Sequence, residues 1–219
     1  IDAEYFQPKY DEIVNAIKSY SDGYSFVGKE FKQNKNVFKP KASKTYQYVE
    51  IGSINVSTGE IATSEVFGSE LPDNAKRVLR KDDVIVSKVR TYRGAMAIVD
   101  RDGLIGSGAF TVLSEHGRIN KETLLTFLRS KPLLALSLKP NTGTSYPVIL
   151  DDDILNLPIP LFSEDTQNIV KLKISEAFNL RKQSNHLLEC AKRAVEIAIE
   201  QNEDAAIKWL QEQTKQAVS

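Results

Sequence analysis

The sequence predicts an α+β protein: a globular head built on a curved, mostly antiparallel sheet with covering helices, followed by one long helix suited to coiled-coil pairing. Three observations carry this. Residues 46 to 114 alternate short aliphatic and aromatic runs with glycine and polar turns. Short apolar helical patterns flank that region, and from Ser163 a helical pattern runs to about Glu200 without Gly or Pro.

Taken in order, Pro8 followed by Tyr10, Ile13, Val14 and Ile17 predicts an amphipathic helix over 8–20, with proline near the first turn and Ser21-Asp22-Gly23 as its stop. Strands are expected over Tyr46–Ile51, Val84–Val89, Ala95–Val99 and Ala109–Leu113, punctuated by Thr58-Gly59, Asp102-Gly103 and Gly106-Ser107-Gly108. Asn120 is placed to cap a helix bearing Leu124, Leu125, Phe127 and Leu128, and Pro132 opens another through Leu136. The polar loop from Lys139 to Pro147 is bracketed by prolines, which suits an exposed contact segment. Asp151-Asp152-Asp153 before Ile154-Leu155 reads as the first turn of a short helix, where acids complement the dipole, rather than as a metal site.

After the run Leu157-Pro158-Ile159-Pro160-Leu161-Phe162, Ser163 is a natural N-cap, and Glu164 and Asp165 supply negative charge to the first turn. Val170, Ile174, Ala177, Leu188, Ala191, Val195 and Ala198 then recur in steps that keep one seam facing a partner helix, and Leu180, Leu187 and Ala194 widen it. At 1.5 Å per residue such a helix runs roughly 50 Å, longer than a compact domain of this size needs. Periodicity alone fits equally a spacer, a docking surface or a helix packed on its own domain. The expected division is 1–162 for the head and 163–219 for the helical region, whose polar tail after Gln201 is expected to fray apart from Trp209 and Leu210.

Composition narrows the function. A chain of 219 residues with 41% apolar content can bury a substantial core. No run approaches the ~20 apolar residues of a membrane span, and the N-terminus has no secretory pattern, so a cytoplasmic protein is expected. Because the sequence begins at Ile1, a fragment or a processed chain is expected. Cys190 has no disulfide partner, and with His116 and His186 it forms no zinc spacing. It is expected beside the helical seam as a small apolar residue.

Zero net charge conceals segregation. Residues 29–44 carry six lysines against Glu30, a local +5, and residues 76–101 repeat that excess, whereas residues 145–165 hold five acids and no base. No catalytic constellation accompanies these charges. The glycines of Gly103 to Gly108 are in the wrong order for a dinucleotide loop, Asn156-Leu157-Pro158-Ile159 lacks the aromatic of an amino-methyltransferase motif, and Glu30-Phe31-Lys32 alone matches a nuclease pattern only by chance. At the end of a strand, Lys88, Arg90, Tyr92 and Arg93 instead make a tip suited to phosphates and base edges, joined by Lys32, Lys35, Lys39 and Lys41. Asn141, Thr142, Thr144, Ser145 and Tyr146 on the polar loop follow as contacts. A solvated strand face is the plainer reading of the tip, and Phe31 and Phe38 fit core packing better than base stacking.

In this order the pieces resemble half of a specificity subunit from a type I restriction-modification system: one target-recognition domain followed by one helical spacer. The residues that carry the resemblance are Ile1 to Tyr10, Tyr48 to Ile51, Asp83 to Arg90, Gly106 to Leu113 and, above all, the junction Leu157 to Val170. There Asp165-Thr166-Gln167 departs slightly from the family's usual Glu-Gln ending. The resemblance implies a non-catalytic, DNA-reading chain with no cofactor of its own. S-adenosylmethionine, ATP and Mg are expected only in partner subunits. Partners implied are double-stranded DNA, modification (methyltransferase) subunits, a restriction subunit, and a second recognition half or second copy through the long helix, with no membrane. Two alternatives remain: a coiled-coil interaction module with a protein-binding head, and the recognition end of a fused single-chain restriction-modification enzyme.

Overall fold

The structure, a computed structural model, describes residues 6–141 and 146–216. Its helices are α1 (Pro8–Lys18), α2 (Val27–Glu30), α3 (Lys121–Leu128), α4 (Lys131–Leu136), α5 (Asp151–Leu155), α6 (Glu164–Glu200) and α7 (Glu203–Gln216). Its strands are β1 (Tyr24–Phe26), β2 (Phe31–Gln33), β3 (Thr45–Val49), β4 (Ser64–Phe67), β5 (Ala75–Leu79), β6 (Val84–Ser87), β7 (Met96–Ile98), β8 (Leu104–Ser107), β9 (Phe110–Glu115) and β10 (Pro158–Pro160). The chain divides into two compact units, Ile1–Val170 and Lys171–Ser219, and α6 begins in the first and continues into the second.

The expected α+β class and mostly antiparallel pairing hold, with the strands distributed over three sheets ordered β2-β9-β6-β7, β4-β3-β8-β5 and β1-β10. Only β3 and β8 run parallel among these pairs. Strand β6 sits at the centre of the first unit. Val84 and Val86 point into a cluster with Phe31, Met96, Leu113, Leu124, Leu128 and Ile154, where α3 and α5 cover the sheet. Ile85 points the other way, to Val49, Leu79, Leu104, Phe110 and Val112, where two sheets face each other. A strand covered on both faces explains why Val84-Ile85-Val86 is a continuous apolar run without alternation.

Several strands escaped the sequence reading for identifiable reasons. Gly106 reads as turn punctuation but lies within β8, where glycine is required because a Cβ would come 3.0 Å from the Leu79 side chain of neighbouring β5. The prolines of β10 also argue against a strand, yet Val27 N–H donates to Leu157 O at 3.0 Å and Leu161 N–H to Gly23 O at 3.0 Å. These bonds bracket a pairing in which Pro158 and Pro160 fall opposite Phe26 and Tyr24. The missing N–H groups of the prolines therefore face the outer edge, where nothing needs them.

Three predicted helix starts are observed. Asn120 Oδ1 accepts from Thr123 N at 2.8 Å, Pro132 stands in the first turn of α4, and Ser163 Oγ accepts from Thr166 N at 3.2 Å. The beginning of α6 is then fixed by Gln167, only 7% exposed. Its Oε1 accepts from Asn120 N at 2.8 Å, and its Nε2 donates to Arg118 O at 3.1 Å and Phe162 O at 3.0 Å. One side chain thus ties the first turn of the long helix to the loop before α3.

In the second unit, the tail expected to fray is instead α7. Asn202 Oδ1 accepts from Ala205 N at 2.9 Å, and Glu203 and Asp204 occupy the first turn, a start signal passed over because the segment as a whole is polar. Cys190, Ile197 and Ala206 are buried here, and Trp209 and Leu210 are half-buried. Cys190 Sγ lies 3.6 Å from His186 Nε2.

Replacing Gln167 with Ala leaves Asn120 N–H and two carbonyls without their partner, and we expect a loss of about 2–3 kcal/mol. Urea unfolding followed by circular dichroism checks this: the midpoint should drop with the slope unchanged.

Candidate nucleic-acid interface

The connection from β6 to β7 presents the basic tip. Ser87 is fully buried, and its hydroxyl donates to Val89 O at 2.8 Å while accepting from Val89 N at 3.2 Å. The buried Thr91 hydroxyl donates back to Ser87 O at 2.7 Å. Between them Arg90 adopts a left-handed conformation, φ 49° and ψ 45°, and a single 3-10 turn over Thr91–Arg93 closes at Gly94 with φ 79°. A left-handed arginine costs on the order of 1–2 kcal/mol and persists only where its surroundings impose it, as the two hydroxyls do here.

The polar loop before α5 is hydrogen-bonded to this tip. Arg90 N–H donates to Pro147 O at 2.9 Å, Ile149 N–H donates to Lys88 O at 3.0 Å, and Val89 pairs with Val148 as an isolated bridge. The Arg90 guanidinium lies 5.8 Å from the centre of the Tyr146 ring, and that of Arg93 lies 6.0 Å from the Tyr92 ring. The structure therefore brings together two segments more than fifty residues apart in sequence, giving one surface with Arg93 and Tyr146 exposed and Arg90 and Tyr92 half-buried. Asn141 is half-buried at the start of the loop, and Thr142, Thr144 and Ser145 lie outside the described residues.

Lys88, expected as a DNA contact, is ion-paired within the chain. Its side chain is 18% exposed, and its ammonium stands 3.2 Å from Asp151 Oδ1. Asp151, the first residue of α5, also accepts from the Thr111 hydroxyl at 2.5 Å. Burial pushes the Asp151 carboxyl up, but the Thr111 hydrogen bond and the Lys88 charge together outweigh it and hold the group below the usual carboxylate range. Lys88 thus ties the tip to the first turn of α5 through Asp151. In sequence nothing marks Thr111 or Asp151 as members of this site, since a hydroxyl on a strand and an acid in a first helical turn have many ordinary uses.

The lysines of 29–44 lie elsewhere. Lys32, exposed on β2, pairs with Ser114, whereas Ser87 pairs with Phe110, so Lys32 sits toward the opposite end of β9 from the tip. Lys35, Lys39 and Lys41 are exposed on the segment after β2. Phe31 is buried in the core, and Phe38 packs edge-on against Tyr46 with centroids 4.8 Å apart, so neither offers a stacking face. Among the described residues no group of three or more His, Cys, Asp or Glu side chains could hold a metal ion, and no helix is long and apolar enough to cross a membrane.

Of the seam residues on the long helix, Leu180, Leu187, Leu188 and Val195 are exposed at 59%, 49%, 56% and 61%. Ala177 and Ala191 are exposed as well, and Val170, Ile174 and Ala198 are half-buried.

No family model and no curated protein sequence matches the chain. Solved structures do. A chain from a structure of the type I R-M system, concerned with complex assembly and conformational transition, matches with TM-score 0.61 and 28% identity over 80% of this chain. The HsdS subunit from Thermoanaerobacter tengcongensis matches with TM-score 0.60 and 26% identity, again over 80%. The fold is that of a type I specificity subunit. The type I restriction-modification S subunit from M. genitalium shares the fold at 14% identity, TM-score 0.56, over 83% of this chain. In each case the chain spans 46% of the neighbour, about half of a specificity subunit.

The Asp151 geometry gives a signed pH dependence. Because its folded pKa is depressed, Asp151 contributes stability that is present above the unfolded carboxylate pKa and is lost as pH falls through the folded value. Asp151→Asn should be less stable than the parent at neutral pH, and the gap should close in acid below about pH 5, measured as denaturant midpoints across the pH range.

Proposed function

We propose that this chain reads one DNA half-site as the recognition part of a type I restriction-modification specificity subunit and performs no chemistry itself. The observation that carries the reading is the likeness to the HsdS subunit over 80% of the chain. The joined tip and loop give that reading its contact surface. Arg90 and Arg93 can donate in bidentate fashion to guanine edges, while Tyr92, Tyr146 and the loop's polar residues offer hydrogen bonds and stacking.

The rigid tip supports direct readout, because a guanidinium on a fixed backbone loses less freedom on binding than one on a flexible loop. Lys88 acts beneath the surface by holding Asp151. The helical region docks modification subunits that methylate adenine with S-adenosylmethionine, and ATP and Mg belong to the partners of the complex. Leu180, Leu187, Leu188 and Val195 pair with the helix of a second recognition half or a second copy, which sets the spacing between half-sites.

Two measurements test this reading. Arg90→Ala together with Arg93→Ala should abolish site protection in a footprinting assay while the thermal unfolding midpoint shifts little; unchanged occupancy would remove these arginines from the contact surface. Methylated adenines mapped by single-molecule sequencing should lose one defined motif when the gene is deleted from the source cell. A bipartite palindrome would indicate that two copies pair, and an unchanged map would exclude the proposed role.

A further inference from the structure

Two lysine- and arginine-rich stretches, 29–44 and 76–81, are distant in sequence but adjacent in the fold. After β2 the chain runs along the outer edge of β5. Phe38 N–H donates to Lys76 O at 2.9 Å, Val78 N–H donates to Asn36 O at 3.4 Å, and Val37 pairs with Arg77 as an antiparallel bridge. Lys35 and Lys39 flank this bridge on one strand, and Lys76 and Arg77 occupy the other. Lys35, Lys39 and Lys76 are exposed, Arg77 is half-buried, and its Nε is buried without a hydrogen-bond partner.

Among the described residues none of these cations has a carboxylate within 4 Å, in contrast to Lys88, Lys121 and Lys139, each of which is paired. In this register Val37 faces Arg77 and Phe38 faces Lys76, so the cations are staggered along the edge rather than directly opposed. The backbone pairing gathers them on one edge, and with no carboxylate within 4 Å of them among the described residues this is the arrangement expected of a surface completed by an external polyanion.

We propose that this edge is a second, sequence-independent contact with the phosphate backbone of the DNA, separate from the arginine tip. The inference rests on the DNA-reading function proposed above and divides that function between two surfaces. Lysine suits the edge because its ammonium is a mobile, strongly hydrated point charge that meets a phosphate without fixed orientation, whereas the planar arginines of the tip suit base edges. Extended backbone advances ~3.3 Å per residue, so Lys35 and Lys39 stand roughly 13 Å apart along the edge, spread along a backbone rather than converging on one phosphate.

The experiment uses the full chain and a duplex of scrambled sequence, with affinity measured across a salt series. Changing Lys35, Lys39 and Lys76 to Gln should reduce the slope of log K against log salt by about 2–3, near 0.9 per lost phosphate contact. Arg90→Ala with Arg93→Ala should leave most of that slope in place. An unchanged slope in the triple variant overturns the proposal, as does a parent chain with no affinity for the scrambled duplex. Selection of a motif from random duplexes tests the DNA-reading function separately: failure to enrich one, with the lysine-dependent slope intact, sinks sequence reading and leaves the phosphate edge standing.

Discussion

The double burial of strand β6 is the constraint on which the first unit depends. Its alternate side chains enter two apolar clusters, one under α3 and α5 and one between two facing sheets. A slip of one residue would exchange Val84 and Val86 with Ile85 and misfit both clusters together, so the register is fixed from two sides. Whatever leaves the end of β6 inherits that precision. The chain leaves at Ser87, and within six residues it has formed a left-handed arginine, a 3-10 turn and the bonds that capture the loop before α5.

Much of the element inventory was legible because it rests on local chemistry. Asn120, Pro132, Ser163 and the acids of 151–153 announce helix starts through side-chain caps, fixed φ or dipole complementarity, and these act within a single turn. The strands that escaped are those defined by what lies beside them. Glycine is required at 106 within β8 because of Leu79, and Pro158 and Pro160 belong to β10 because their unneeded edge faces outward. The same distinction governs the site. Arg90 and Arg93 could be found as cations at a strand end, but nothing local in Lys88 indicates that Asp151, sixty-three residues later, neutralises it.

Charge sorts in a parallel way. Both basic stretches are equally conspicuous in sequence, yet the fold treats their members differently. Lys88 is drawn under the surface by Asp151, and the cations around the Val37 and Arg77 bridge have no carboxylate within 4 Å among the described residues. A zero net charge therefore coexists with strong local fields, because acids and bases are paired where they support structure and are kept apart elsewhere.

The clamp around Arg90 separates display from architecture. The bonds that shape the turn come from Ser87, Thr91 and main-chain groups, and no side-chain hydrogen bond from Arg90, Tyr92 or Arg93 takes part among those described. The outward positions are thus interchangeable parts on a standard mount. Exposed residue 93 can vary in chemistry, and residue 90 can vary among side chains that tolerate a left-handed backbone, without the hydrogen bonds of the turn being rebuilt. A chain organised in this way can acquire a new surface vocabulary through a few substitutions while its folding remains that of the parent.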